Sequence, residues 1–436
     1  MSVCFAMWYS GAYTVQTNTV PLDTGRRVPF VSAGSRAIDA ILGVAGPIIV
    51  DGTCPVVHLL GCLLTWDSYS SNAVWPGDMG VAVSTSFIST NDLLPVKNAL
   101  LTMFSTIGSD GALPKSGPPL SQKGSNMYYG WALIGSCNYY LDTANPPFLQ
   151  DTWTGYTHWA RLGGGGINAE GNAILYKVLT TASSLTSYLA EEMNDLNALT
   201  LSEACRFVVI VTLRSSTTLA PQDANSFAVL YNLTAEESWK ERISEGLTKN
   251  SGEIGPEAPE LPDTISPFIG SFEPISKPKC KSPGSFTSNL GVHAIYQYLG
   301  TEYAFGRCTV NNSLSYRPYR GYNYDPAYTS HAHGWSSGPT SALTNYVLGL
   351  RVDEPMRRVW TIHPHLFSNV DKDAAEGGSE TPLGWFGVSW SVDEGRMMDV
   401  DDTDNPWYLV DGPFLACFRA AKARSRFPLK MDELCA

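Results

Sequence analysis

The sequence predicts a mainly α-helical protein, in which a toroid of paired helices is followed by a small antiparallel β module. From about residue 80 to 190, apolar residues recur at spacings of three and four, and Gly- and Pro-rich loops separate the blocks. After about residue 353, short β-type runs alternate with acidic turns. We therefore expect a helical domain over residues 1–352 and a β domain over residues 353–436. The β-type runs are Val359–Ile362, Gly387–Val392 and Tyr408–Val410.

Residues typical of helix ends bound the predicted helices. Asn91 and Asp92 can cap the helix that follows them, and Pro146 and Pro147 end the aromatic helix before them. Four consecutive glycines precede the longest block, but no Lys-Ser or Lys-Thr follows them, which argues against a phosphate-binding loop. The predicted helices are Val81–Phe87, Leu93–Ile107, Tyr128–Leu141, Asn172–Leu189 and Thr340–Leu350.

The composition argues against two classes of partner. The net charge is −12 and only 16% of the residues are charged, against about 25% in average proteins. We expect no nucleic acid partner, because phosphate binding needs a basic surface. We expect no membrane span either, because the apolar runs Ala40–Val50 and Val56–Leu64 are shorter than the ~20 residues required. Aromatic residues make up 11% of the chain, which suits an enzyme that acts on neutral sugars.

The cysteines give no sign of a metal site. There are nine of them, scattered along the chain, with no C-x-x-C pair and no Cys/His cluster at zinc-ligand spacing. We therefore expect neither a metal nor a cofactor. The opening MSVCFAMWYSGAYTV lacks the basic region and long apolar run of a signal peptide, so the sequence leaves the localisation open.

Three loops combine aromatic residues with polar groups, as sugar sites do. They cover residues 73–80, 156–168 and 316–335. Sugar rings offer C–H faces that stack on aromatic side chains and hydroxyls that bond to carboxylates. Each loop taken alone has a structural explanation, since Trp and Tyr are often core residues and an Asp before a helix is often a cap. Taken together, the loops favour a carbohydrate site.

These loops also carry a resemblance to a known family. The stretches AVWPGDMG (73–80), HWARLGGGGINAEGNAILYKVLTT (158–181) and YRPYRGYNYDPAYTSHAHGWSSGPTSALTNYVLGL (316–350) resemble fungal α-L-rhamnosidases of glycoside hydrolase family 78. This family belongs to the six-hairpin glycosidase superfamily. The resemblance implies an (α/α)6 barrel, a C-terminal β-sandwich and inverting hydrolysis of terminal α-L-rhamnosyl residues. The partner that it implies is a carbohydrate substrate.

The resemblance also assigns residues to the sugar site. Two carboxylates match family residues that hydrogen-bond sugar hydroxyls, two tryptophans match ring-packing aromatics, and a histidine matches a sugar-contacting histidine. A buried structural role is the alternative for the histidine. The five substrate-binding residues are Asp51, Asp78, Trp131, Trp159 and His333.

The catalytic pair is harder to place. Inverting hydrolysis needs a carboxylic acid and a carboxylate base ~6.5–9.5 Å apart, on opposite faces of the bond. The family's acid lies in a V-D-G-x-K-R-D-R-like string that runs into the WPGD motif, whereas here residues 53–72 intervene, and Asp67 is the one carboxylate among them. The family's base is a Glu about ten residues before Tyr316, and the nearest candidate is Glu302. Asp67 is thus the candidate acid and Glu302 the candidate base.

Three segments depart from the family pattern, at 53–72, 191–217 and 274–310. One hypothesis is that they are gene-model errors, and the alternative is divergence into a non-hydrolytic paralogue; a transcript that encodes residues 53–72 would reject the first. We expect segments 53–72 and 274–310 to pack poorly. Three functions stay open: an α-L-rhamnosidase that is impaired in its acid and base, a non-catalytic rhamnoside-binding protein, and another six-hairpin glycosidase activity.

Overall fold

The structure is a computed structural model of the chain, and its helices account for most of the regular structure that it describes. The described residues are 3–20, 48–49, 52–53, 74–108, 111–117, 125–145, 147–148, 169–193, 222–234, 236–250, 259, 264–265, 267–270, 272, 308–309, 332–352, 360–362, 374–381, 384–391, 407–410 and 415–420. The helices are α1 (Val3–Asn18), α2 (Pro76–Thr90), α3 (Leu94–Phe104), α4 (Asn126–Thr143), α5 (Ala169–Met193), α6 (Gln222–Leu230), α7 (Glu237–Thr248), α8 (Pro267–Gly270) and α9 (Gly338–Ala342).

Each helix that the sequence predicted before residue 200 is confirmed, with a few residues added at one or both ends of α2, α4 and α5. The last one was predicted too long. After a 3₁₀ turn at Gly334–Ser336, α9 passes into a π-helical turn at Leu343–Val347, and Leu350 already belongs to a strand. Within the predicted segments 53–72 and 274–310, the structure describes only Thr53, Cys308 and Thr309, so the expectation that these segments pack poorly stays a prediction.

Helices α2 and α3 form an αα-hairpin. Pro76 starts α2 with a fixed φ, and Asn91 ends it in the left-handed region (φ 51°), where its N–H bonds to the carbonyl of Phe87. The carboxylate of Asp92 then accepts the N–H of Leu94 at 3.1 Å, which satisfies a free donor at the start of α3. The three-residue connection therefore reverses the chain.

Helices α2, α4 and α5 run in the same direction as neighbours. Gly77 and Gly80 of α2 pack on the rings of Tyr128 and Trp131 of α4, so residue numbers rise together along the two helices. Residue numbers also rise together along α4 and α5, because Gly130 meets Ile174 and Tyr140 meets Tyr188. Parallel neighbours need a returning segment between them, and α3 is that segment for α2 and α4.

The contacts between elements close into a ring. Along it, α2 contacts α4, α4 contacts α5, α5 contacts α6, and α6 contacts α8. Helix α8 then contacts the 3₁₀ turn, which contacts α2. This arrangement is a helical toroid, as the sequence predicted; the number of six hairpins stays a prediction.

Two groups of buried side chains stabilise the ring. One lies between α4, α5 and α6 and includes Leu133, Tyr140, Val178 and Phe227. The other lies between α2 and α3 and includes Leu100. Each fully buried large apolar side chain contributes roughly 1.5–3 kcal/mol, so these clusters hold the helices that carry the candidate site.

Helix α1 packs on α2 and α9 and was missed by the sequence analysis. The indole N–H of Trp8 donates to the hydroxyl of Thr344 at 3.0 Å, and the hydroxyl of Thr340 donates to the carbonyl of Trp8 at 2.6 Å. Gly11 allows this approach, because a Cβ there would overlap Thr340. The described helices therefore begin at Val3, ahead of Val81–Phe87, the first helix that the sequence predicted.

The strands after residue 350 are antiparallel. Strands β1 (Thr19–Val20), β2 (Ile48–Ile49), β3 (Gly52–Thr53), β4 (Thr264–Ile265), β5 (Cys308–Thr309) and β6 (Ala332–His333) precede them as two-residue pairs. The later strands are β7 (Leu350–Val352), β8 (Trp360–Ile362), β9 (Ala374–Thr381), β10 (Gly384–Ser391), β11 (Trp407–Val410) and β12 (Leu415–Ala420).

The four last strands form one sheet in the order β11-β12-β10-β9, and β7 pairs with β8. The three β-type runs that the sequence predicted are therefore strands. Strand β9 packs on the helical part, where Gly377 meets the side chain of Leu348. A second sheet facing these four strands is not among the described residues, so the sandwich and the division at residue 353 stay predictions.

Gly80 offers a direct test of the packing between α2 and α4. A Cβ at Gly80 would overlap the ring of Trp131, so we expect Gly80→Ala to lower the free energy of unfolding by about 1–2 kcal/mol, because overpacking outweighs the gain in helix propensity. Gly246 of α7 has no atom within 4 Å of such a Cβ. The matched variant Gly246→Ala should raise stability by about 0.5–1 kcal/mol. Denaturant unfolding measures both, and shifts of the same sign would contradict the packing.

The thiol of Cys137 gives α4 a pH-dependent contribution to stability. Burial raises its pKa from 9.0 to about 11, with smaller effects of Lys177, which lowers it, and Asp142, which raises it. Between those values the unfolded thiol is ionised while the folded thiol keeps its proton, so stability falls as pH rises. We expect the stability advantage of the native protein over Cys137→Ala to shrink by about 2–3 kcal/mol between pH 8 and pH 11. Urea unfolding at both pH values measures this difference, and a constant advantage would contradict it.

Candidate functional site

Asp78 lies in the first turn of α2 and is 7% exposed. Its Oδ1 accepts the backbone N–H of Trp335 at 3.2 Å. A carboxylate at this position is stabilised by the partial positive charge of the helix N-terminus. The bond joins two segments that are 257 residues apart in the chain.

The strand pair β3–β6 brings a further predicted residue to the same place. Gly52 pairs with His333, which lies two residues before the Trp335 whose N–H bonds to Asp78. Asp51 directly precedes Gly52, but it lies outside the described residues, as do Asp67, Trp159 and Glu302. The structure thus brings together Asp78 and the backbone of His333.

Trp131 lies in an aromatic cluster beneath Asp78. Its ring stacks on Phe272 at 5.6 Å with 21° between the planes, and meets Phe268 edge-on at 5.4 Å. Phe268 in turn lies 6.2 Å from the ring of Trp335. Trp131 is only 3% exposed, so its ring is part of the packed core. It also lines a cavity that is described below.

Trp75 belongs to the same end of the molecule and was missed as a site residue. It precedes α2 in an extended conformation, and its ring meets Tyr128 edge-on at 5.7 Å. Its indole nitrogen is buried and has no hydrogen-bond partner among the residues that the structure describes. Because an unpartnered buried donor costs free energy, this N–H is suited to a ligand acceptor. The WPGD motif was the available signal, and only its aspartate was chosen.

The helix directions place all these groups at one end of the ring. Since α2, α4 and α5 are parallel, their N-termini lie at the same end, with Asp78 in the first turn of α2 and Tyr128 in the first turn of α4. Free N–H groups make such an end electropositive. A carboxylate acceptor, an indole donor and aromatic faces together suit a polar, hydroxyl-rich ligand.

The described residues contain no group of three or more His, Cys, Asp or Glu side chains that could hold a metal ion. In the part of the chain that the structure describes, no helix is long and apolar enough to cross a membrane.

Solved structures share this architecture. A glycoside hydrolase family 78 rhamnosidase of Bacillus sp. GL1 aligns with 90% of this chain and 39% of its own, with a TM-score of 0.54 and 15% identity. An α-L-rhamnosidase from Aspergillus terreus aligns with 81% of this chain and 47% of its own, with a TM-score of 0.51 and 14% identity. The chain shares its fold with α-L-rhamnosidases.

The structural similarity is not specific to rhamnosidases. A protein described as a sialidase aligns equally well, over 88% of this chain and 37% of its own, with a TM-score of 0.54 and 12% identity. The chain spans less than half the length of these three neighbours. No family model matches the sequence, and no curated protein matches it. The neighbours include a bacterial and a fungal rhamnosidase, so the shared fold does not favour a fungal origin.

Proposed function

We propose that this chain forms the helical core of an α-L-rhamnosidase-like glycoside hydrolase, which removes terminal α-L-rhamnosyl residues with inversion. The observation that supports this most directly is the bond from Trp335 to Asp78. It joins the WPGD motif to the SHAHGW motif, which belong to two of the stretches that resemble rhamnosidases. The shared fold with the two rhamnosidases supports the same reaction class.

The roles follow from the chemistry of the groups. Asp78 accepts a hydrogen bond from a rhamnose hydroxyl, and the indole N–H of Trp75 donates to a second oxygen of the sugar. In inverting hydrolysis an acid protonates the glycosidic oxygen while the C1–O bond breaks, and a base takes a proton from the water that attacks C1 from the opposite face. We assign these steps to Asp67 and Glu302, respectively.

Hydrolysis of an aryl α-L-rhamnoside tests the proposal. Release of the aryl alcohol should be slow but saturable, and Asp67→Asn should lower the rate further. The matched control is Glu245→Gln, which removes one carboxylate from the exposed face of α7. A rate that is equal in the native chain, Asp67→Asn and Glu302→Gln would reject both catalytic assignments.

A non-catalytic rhamnoside-binding protein is the second candidate. It is favoured by the departure of residues 53–72 from the family's acid-bearing string. Saturable binding of L-rhamnose with no release of the aryl alcohol would support it. Because a sialidase shares the fold equally well, a panel of aryl glycosides should be run beside the rhamnoside to expose another glycosidase activity.

A further inference from the structure

A cavity of about 220 Å³ lies between the helices of the ring. We call it the interior cavity. It is lined by parts of α2, α4, α5 and α9, by the end of α6, by the π-helical turn and by Phe272. The polar residues in its lining are Ser84, Asn138, Lys177, Tyr231, Ser341, Asn345 and Tyr346.

The interior cavity adjoins the candidate rhamnose site, because Trp131, one of the predicted rhamnose-binding residues, and Gly80, two residues beyond Asp78, both line it. Ser84 is six residues beyond Asp78 along α2, which corresponds to roughly 9 Å of helix rise. Trp131 and Phe272 line the cavity and stack on each other. Phe268 packs against both of them and against Trp335. These rings therefore form one wall of the cavity and connect it to Trp335, whose N–H bonds to Asp78.

The charge of the lining is positive. Lys177 is the one charged side chain among the described residues that line the cavity, and none of these residues is a carboxylate. Its ammonium group lies 5.8 Å from the centroid of the Tyr231 ring. Arg351 lies 5.9 Å from the ring of Tyr346, which also lines the cavity. A carboxylate ligand can form a charge-assisted hydrogen bond with this ammonium group, and such bonds are stronger than neutral ones.

The other lining groups suit a small polyhydroxylated molecule. The amides of Asn138 and Asn345 and the hydroxyls of Ser84 and Ser341 both donate and accept hydrogen bonds. Asn345 lies in the π-helical turn, a rare distortion that often occurs at functional sites. The faces of aromatic rings are available to C–H groups. The volume is below the roughly 300 Å³ of pockets for drug-sized ligands, so it fits a single sugar ring.

We propose that the interior cavity is a second ligand site, which binds an acidic monosaccharide whose carboxylate pairs with the ammonium group of Lys177. Its charged group, Lys177, is not among the residues predicted to bind rhamnose, so the two proposals can fail separately.

Titration calorimetry of the full chain with matched sugars tests the proposal. D-galacturonate and D-glucuronate should bind saturably, and the better of the two should bind at least tenfold more tightly than its neutral methyl ester. Lys177→Met should reduce that affinity at least tenfold. The matched variant Lys97→Met, which removes the same charge from α3 outside the lining, should leave it within twofold.

Two results would overturn the proposal. The first is that neither uronate binds more tightly than its methyl ester; this comparison uses the native protein alone and so holds even if Lys177→Met does not fold. The second is that L-rhamnose competes with the uronate and Asp78→Asn abolishes its binding, which would place the uronate in the rhamnose site. A native protein that binds uronate and not L-rhamnose would support the interior site and count against the proposed function.

Discussion

The native chain is expected to hydrolyse an aryl α-L-rhamnoside at least ~10³-fold more slowly than a family member that has both catalytic carboxylates. Positioned proton transfer contributes typically ~10²–10⁴-fold per group. Here the string that carries the acid is replaced by residues 53–72, whose apolar part, Val56–Leu64, has no physical reason to enter a wet pocket. The stretch from Tyr303 to Leu314 contains no carboxylate, so Glu302 is displaced along the chain. Steady-state kinetics beside a family member measures the ratio.

A reconstruction provides the control for this prediction. Replacing residues 53–72 by a short Ala-Lys-Arg-Asp-Arg bridge and restoring a Glu within residues 303–308 should recover activity, because both carboxylates regain their family positions. Each change alone should recover little, since inverting hydrolysis needs the acid and the base together. Family-level turnover by the native chain, abolished by Asp67→Asn, would contradict the prediction and identify the acid instead.

The helices that could be predicted from the sequence are those that bury apolar side chains. In α2 and α3, apolar residues recur with the helical period, and examples such as Val83 and Leu100 lie in the core. Helix α1 reverses this pattern. It buries Ser10 and Thr14 against its neighbours and leaves Tyr9 exposed. Periodicity of apolar residues indicates which face is buried only when that face is apolar.

The candidate site could be predicted only where a motif named the residue. Asp78 stands in WPGD, and His333 stands in SHAHGW, so the motifs alone predict both. The bond between Trp335 and Asp78 could not, because it depends on a contact between segments 257 residues apart. The sequence did not single out Lys177 either, because a lysine in a helix normally faces solvent. Lys177 is a candidate because residues of four other helices, α2, α4, α6 and α9, line the same cavity.

Replacing Asp78 by asparagine is expected to weaken L-rhamnose binding by about 10–100-fold. Asparagine keeps an oxygen that can accept the N–H of Trp335, so the local structure should persist. It removes the negative charge, however, and hydrogen bonds to charged groups contribute about 1.5–3 kcal/mol against about 1 kcal/mol for neutral ones. Asp78→Ala removes both acceptors and should also lower the free energy of unfolding by about 1–3 kcal/mol. Calorimetry with L-rhamnose and denaturant unfolding measure the two effects.

Asp92 provides a matched control for this last prediction. Its carboxylate also accepts a backbone N–H, that of Leu94, at the start of a helix. It lies just beyond the C-terminal end of α2, whereas Asp78 lies in the first turn. Asp92→Asn should therefore leave L-rhamnose affinity within twofold while making a similar change in charge. Equal losses of affinity in the two variants would mean that net charge, rather than a bond from Asp78 to the sugar, governs binding, and Asp78 would lose its assignment as a sugar ligand.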